Sequence, residues 1–203
     1  MRYVLLSMLV LATFFSCKKS KIETVNTNNS KDSLTYQPRV PGSKWTYEMT
    51  IAVVNKTTYN TTRLTYDTVI NGKTYQAFNS EAEGNQFIRQ DGDKYYSVLT
   101  SSTTKMELLI LDASKNVNET WIGGVNGDDQ YSYTMKEKFP VFSLDGFTFK
   151  NVLKVYQERK NTTTNNVTLT SDNYYAQGVG MVQSEGTLNS IPVKVKVISV
   201  DLK

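Results

Sequence analysis

Three observations predict an all-β fold: a single antiparallel, strongly curved sheet of about ten or eleven strands, forming an open half-barrel or a lipocalin-like barrel. From Pro41 onward apolar and polar residues alternate along most of the chain, the period of strands with one face buried. Turn-forming pairs, including Asn71-Gly72, Asp91-Gly92 and Asp145-Gly146, separate these runs at short intervals. Tyr, Thr, Val and Asn dominate the runs and no long helical period occurs, so helix is confined to one turn near Ala113 to Asn118. Short turns between neighbours make the sheet antiparallel, and curvature toward closure protects its edges.

Trp45, Tyr47, Met49, Ile51 and Val53 share one face of an extended segment over 44–54, with Thr46, Glu48 and Thr50 on the other. Leu64, Tyr66, Thr68 and Ile70 continue the alternation into Asn71-Gly72 and then Lys73-Thr74-Tyr75. Asn-Gly accepts positive φ at both central positions, so this is a hairpin with a two-residue turn. Further turns are expected at Asp91-Gly92-Asp93, Gly123-Gly124, Asn126-Gly127, Asp145-Gly146 and 161–166. The strand-like runs between them are 87–90, 94–99, 106–111, 130–139, 147–159, 173–176, 180–186 and 193–202.

Ahead of this domain the chain is organised differently. Arg2, an apolar run from Val4 to Phe15 and small Ser16 precede Cys17, the single cysteine. The run is too short to span a bilayer, which takes roughly 20 apolar residues, and Lys18, Lys19 and Lys21 follow it at once. The expected division is a signal peptide at 1–16, a lipidated cysteine and flexible tether at 17–36, and a β domain at 37–203. Residues 20–33 are polar, rich in Asn and Thr, and without a hydrophobic period, as a spacer is. Phe14-Phe15-Ser16-Cys17 resembles the lipobox of bacterial lipoproteins, in which the cysteine becomes the acylated N-terminus. The resemblance implies attachment to a cell-envelope membrane through acyl chains on Cys17, in the outer membrane and facing the periplasm, since no acidic run follows the cysteine.

Composition excludes several chemistries. The chain has no histidine, which removes Ser-His-Asp and Cys-His nucleophilic systems and the usual zinc sites. No phosphate-binding Gly-rich loop ending in Lys-Ser or Lys-Thr occurs. Of 23 Lys and Arg, four precede Ile22 (Arg2, Lys18, Lys19 and Lys21), leaving 19 against 19 Asp and Glu, a balance that offers no basic face for nucleic acid. The carboxylate pairs Asp91/Asp93, Glu81/Glu83 and Asp128/Asp129 sit in or beside turns, where Asp is favoured for backbone reasons. No catalytic residue, cofactor or metal site is expected, and a hydrolase using carboxylates alone is the least favoured reading.

Tyrosine is the excess that points to recognition, with doublets at Tyr95-Tyr96 and Tyr174-Tyr175. Neighbours on a strand face opposite ways, so one of each pair is buried and the other reaches solvent or the concave side. Aromatic faces with polar tips suit sugars or an apolar groove. Trp45, Trp121, Tyr95, Tyr96, Tyr174 and Tyr175 are therefore the candidate ligand-binding residues, for a lipid, glycan or peptide.

The run of signals Pro41-Gly42-Ser43-Lys44-Trp45-Thr46-Tyr47, Ile70 to Tyr75, Asp91-Gly92-Asp93-Lys94-Tyr95-Tyr96, Phe147 to Val152 and Tyr174 to Gly180 resembles a group of small, uncharacterised Bacteroidetes-type lipoproteins. The resemblance covers most of the chain after the cysteine and implies a curved antiparallel sheet like a lipoprotein-carrier half-barrel or a lipocalin-type barrel. Asp32-Ser33-Leu34 and Asp67-Thr68-Val69 resemble the Asp-Ser/Thr-apolar sites at which such bacteria O-glycosylate exported proteins, which makes Ser33 and Thr68 candidate glycosylation sites. The function expected is a non-catalytic binding module on the cell envelope. The alternative is a structural component of an outer-membrane assembly.

Overall fold

The computed structural model describes Glu23–Thr24, residues 35–100 and residues 105–203. Thirteen strands follow one another: β1 (Glu23–Thr24), β2 (Lys44–Ile51), β3 (Asn55–Ile70), β4 (Lys73–Ser80), β5 (Gly84–Asp91), β6 (Lys94–Thr100), β7 (Lys105–Asp112), β8 (Thr120–Asn126), β9 (Asp129–Leu144), β10 (Phe147–Asn161), β11 (Val167–Ala176), β12 (Gly180–Leu188) and β13 (Ile191–Asp201). Twelve of them form one antiparallel sheet in the order β7-β6-β5-β4-β3-β2-β13-β12-β11-β10-β9-β8, and two-residue β1 lies parallel to β10 off this path. Along that twelve-strand path, among the described residues, one junction, β2 to β13, joins strands distant in sequence.

The sheet curls until its two edges, β7 and β8, meet without a ladder between them. Trp121 Nε1 donates to the Leu109 carbonyl at 3.0 Å across this seam. Gly123 and Gly124 bring β8 close: a methyl group on Gly123 would lie 2.8 Å from the Leu109 oxygen and 2.3 Å from the Tyr133 ring, and one on Gly124 would lie 2.7 Å from the Leu108 side chain. The Gly123-Gly124 pair is therefore not a turn but the middle of a strand, and the glycines serve backbone approach. This strand, β8, accounts for the sheet having twelve strands along its path instead of ten or eleven.

Two other expectations are corrected. The segment 113–118 holds turns and no helix, because the Asp112 carboxylate takes the Ser114 amide and hydroxyl and Asn118 sits at φ 72, which interrupts any helical run. The first long strand ends at Ile51, not at residue 54: Ala52 and Val53 adopt φ 51 and 71 in the turn, and Val53 is 73% exposed. Asn71 and Gly72, at φ 50 and 74, form the expected two-residue turn.

Two hairpins outgrow the barrel and fold over its outside. In β3 the register slips between Arg63 and Asp67, so Leu64, Thr65 and Tyr66 bulge outward around the Arg63 guanidinium. Arg63, 4% exposed, donates to the carbonyls of Leu64, Tyr66 and Ala77 at 2.5, 2.9 and 3.2 Å and pairs with Asp67. Beyond the bulge, Ile70 and Tyr75 pack on Phe87 and Val98. Gln86, Ile88 and Ser97 line the interior, so Phe87 and Val98 belong to the outer face. Lys73 at the hairpin tip reaches Glu107 on β7 at 2.6 Å. Tyr75 and Arg89 bond the same carboxylate at 2.5 and 2.9 Å.

The β9–β10 hairpin does the same on the other side. Its Asp145 meets Lys196 of β13 at 2.5 Å, and Lys196 also meets Glu48 of β2 at 3.3 Å. Phe142 and Phe139 stack on Tyr174 with ring centres 5.0 and 6.3 Å apart. The convex surface of β11 to β13 is thus partly covered by a second layer.

Two tests follow from these contacts. Arg63→Ala leaves three carbonyls and Asp67 without their donor and lowers the free energy of unfolding in urea by about 2–4 kcal/mol. Arg63→Lys recovers only part of this, since one ammonium cannot reach all four acceptors. For Glu107, burial opposes ionisation, but the bonds from Lys73, Tyr75 and Arg89 outweigh it and hold the carboxyl below its ordinary range. A depressed folded value contributes stability above the unfolded value that is lost as pH falls through the folded one. Glu107→Gln is accordingly less stable than the parent at neutral pH, and the gap narrows as pH falls below the ordinary carboxylate range when both are followed by urea unfolding.

Candidate functional site

One end of the barrel is shut by the segment that precedes β2. The buried Thr35 hydroxyl donates to Gln90 Oε1 at 2.8 Å and lies 3.2 Å from the Tyr95 hydroxyl, while the Thr35 carbonyl accepts from the Gly178 amide at 2.6 Å. Tyr36 N donates to the same Tyr95 hydroxyl at 3.0 Å, and the two rings meet edge to face. In the strand order β5 and β6 lie opposite the β11–β12 turn, so these bonds tie the segment across the mouth. Gly180, at φ 96, lets Pro38 and Gln37 approach within 3.4 and 3.5 Å of the position a Cβ would take.

Above this floor lies a cavity of about 490 Å³. One wall comes from β2, β13 and β12: Trp45, Tyr47, Met49, Ile51, Val193 and Val195 present apolar surface, with Met181 beside them. The alternation Trp45-x-Tyr47-x-Met49-x-Ile51 places all four on this wall. The polar tips of the two aromatic residues are tied back to the backbone, Trp45 Nε1 to the Val179 carbonyl at 2.8 Å and the Tyr47 hydroxyl to the Met181 carbonyl at 2.9 Å. Their rings, not their polar atoms, therefore face the space.

The wall from β10 and β11 is different. Gln157, Ser171, Asn173 and Tyr175 line it, and the Asn173 carboxamide nitrogen donates to Ser171 Oγ at 3.0 Å and Gln157 Oε1 at 3.3 Å. Gly186 lets β12 close on β11, where a methyl would fall 1.9 Å from the Thr170 oxygen. No Lys or Arg is among the lining residues, and the only carboxylate is the exposed Glu83, which is bonded to Gln86. Burial pushes the Tyr175 phenol far above its ordinary value, and burial followed by the neighbouring Tyr59, Glu83 and Tyr175 does the same to Tyr47. The interior disfavours negative charge.

The six aromatic candidates are distributed unevenly. Trp45 and Tyr175 line the cavity. Tyr95 faces inward but is occupied by Thr35 and Tyr36 in the floor. Trp121 is stacked on Tyr133, ring centres 5.7 Å apart, and spans the β7–β8 seam. Tyr96 faces outward beneath the Arg89 guanidinium at 4.1 Å, and Tyr174 faces outward beneath Phe142. Each doublet thus splits between the two faces, as strand geometry requires, but only Tyr175 is directed at open space.

Thr68 is half-buried in β3 opposite Tyr75, and its neighbour Asp67 is committed to Arg63. Cys17 and Ser33 lie outside the described residues. Asp91 pairs with Arg89, and Glu81 binds the Asn60 amide and side chain. Among the described residues no three His, Cys, Asp or Glu side chains come together as metal ligands. The polar trio of Gln157, Ser171 and Asn173 escaped the sequence reading. Ser171 and Asn173 alternate with Tyr175 and so could have been placed on its face, but Gln157 arrives only through the β10–β11 register.

No family model matches the sequence, and no curated protein matches it. Two solved structures are similar to it. An exported protein with a YmcC-like fold from Bacteroides fragilis is 11% identical, with a TM-score of 0.50 over 81% of this chain and 97% of that one. A protein described as a lipoprotein from Parabacteroides distasonis is 12% identical, with a TM-score of 0.47 over 84% of this chain and 100% of that one. At this identity the first likeness establishes a common fold and nothing finer.

Proposed function

We propose that this chain is a lipid-anchored protein of the bacterial cell envelope, seated on the outer membrane and facing the periplasm, whose barrel binds a small elongated ligand without catalysing its conversion. The observation that carries the binding role is the cavity itself. It is closed at the floor by the Thr35–Tyr95 bonds, and its volume of about 490 Å³ falls in the range of ligand sites, about 300–1,000 Å³. A barrel filled for stability alone would bring side chains to close packing, with few voids larger than a water molecule. The anchoring role is supported by the position of Cys17 at the end of the apolar run and before three lysines. Two or three acyl chains hold a protein at a membrane where one does not.

A second reading, a structural component of an outer-membrane assembly, is favoured by the rim opposite the floor. Val53 and Val54 stand 73% and 77% exposed on the β2–β3 turn, which is bonded through Ala52 to Pro192 beside the half-exposed Ile191. A partner covering that rim would bury them.

The binding role is tested with N-phenyl-1-naphthylamine, an uncharged apolar dye that fluoresces when it leaves water. Saturable enhancement at one dye per protein is expected, and Val195→Trp, which fills the cavity from the apolar wall, abolishes it. Enhancement that is absent in the parent, or unchanged in Val195→Trp, overturns the reading. For the anchor, Cys17→Ser moves the protein from the detergent-soluble membrane fraction to the soluble fraction or leaves it uncleaved. Unchanged partitioning with unchanged mass refutes lipidation.

A further inference from the structure

The chemistry of the ligand is narrowed by what the cavity walls leave available, given the binding role proposed above. Its charge comes first. No Lys or Arg lines the cavity, so a carboxylate or phosphate entering it would lose its water without gaining a counter-ion, a penalty of several kcal/mol. A cation fares no better, because Glu83 is exposed and already accepts from Gln86. An uncharged ligand meets neither penalty.

Its shape and polarity come next. Met49, Ile51, Val193 and Val195 form an aliphatic wall, and the two rings beside them have their polar atoms turned away and bonded. Gln157, Asn173 and Tyr175 form the facing polar wall. Asn173 donates to Gln157 and to Ser171, which leaves the Asn173 oxygen as an acceptor and the Gln157 nitrogen as a donor, and the Tyr175 hydroxyl can do either. A buried carboxamide on a strand is unfavourable unless it is hydrogen-bonded. Two carboxamides and a phenol with bonding capacity to spare converge on one side of the space, while Thr61, Ser80, Gln86 and Ser97 line it from β3 to β6; placed polar groups of this kind orient a ligand.

We propose that the cavity takes an uncharged amphiphile, an acyl chain bearing a hydroxylated head such as a neutral acylglycerol, with the chain against Met49, Ile51, Val193 and Val195 and the head hydrogen-bonded to Gln157, Asn173 and Tyr175. The arrangement selects against the free fatty acid of the same chain length. Selection is by desolvation, not by size.

The test uses the purified chain loaded with N-phenyl-1-naphthylamine and displaced by a matched pair, monodecanoylglycerol and decanoate. At pH 8 monodecanoylglycerol displaces the dye at a concentration at least tenfold lower than decanoate. Acidification to about pH 4 narrows the difference, because decanoate is then largely protonated and neutral. Gln157→Leu and Asn173→Leu, each normalised to its own dye affinity, weaken monodecanoylglycerol at least fivefold. Decanoate matching or beating the ester at pH 8 overturns the proposal on the unmodified protein alone, whatever the variants do, and so do variants that leave the ester's relative affinity unchanged. Failure of the dye itself to bind defeats the binding role as well, whereas dye binding without the ester's preference defeats only this assignment.

Discussion

The architecture depends on disposing of the two free edges of a long curled sheet. A twelve-strand antiparallel sheet has two rows of unpaired amides and carbonyls, each a template for unwanted pairing. Here the edges β7 and β8 are brought face to face, and the seam is held by glycines that admit backbone approach and by the Trp121 indole donating to Leu109. Once the edges meet, the concave side becomes an interior. The cavity exists because of that closure.

Closure sets up two further problems of exposure, and both are met with local chain. The floor is covered by residues 35–43, whose carbonyls and hydroxyls find partners on opposite sides of the ring. The convex face is partly covered by the tips of β3–β4 and β9–β10, each longer than the barrel is deep. Their folding back is directed by charge: Lys73 to Glu107 on one side and Asp145 to Lys196 on the other. The bulge around Arg63 supplies the bend in the first, because a guanidinium with several donors can hold three carbonyls that a straight ladder would have paired.

The interior is then divided by chemistry. Residues on β2, β13 and β12 offer aliphatic carbon and tied-back aromatic rings, while β10 and β11 offer amides and hydroxyls with donor and acceptor capacity to spare. Neither wall carries a cation. For the ligand proposed above, such walls would select through the water the ligand must give up, more than through fine shape.

Alternation and turn chemistry in the sequence settled the class of fold, the antiparallel pairing, the Asn71-Gly72 hairpin and the inward set Trp45, Tyr47, Met49 and Ile51. Each is local, decided by which face a side chain takes and which φ a residue tolerates. They also settled that Tyr95 and Tyr96, and Tyr174 and Tyr175, must point in opposite directions. Which member of a pair meets empty space was decided only by the tertiary structure, because Tyr95 is claimed by Thr35 sixty residues away and Tyr174 by a hairpin tip that folds over it. Gly123-Gly124 reads locally as a turn, and only contact with β7 reveals a seam. The polar trio likewise exists only once β10 and β11 are in register, since no pattern within either strand pairs Gln157 with Asn173. Local periodicity specifies faces; long-range closure specifies what those faces enclose.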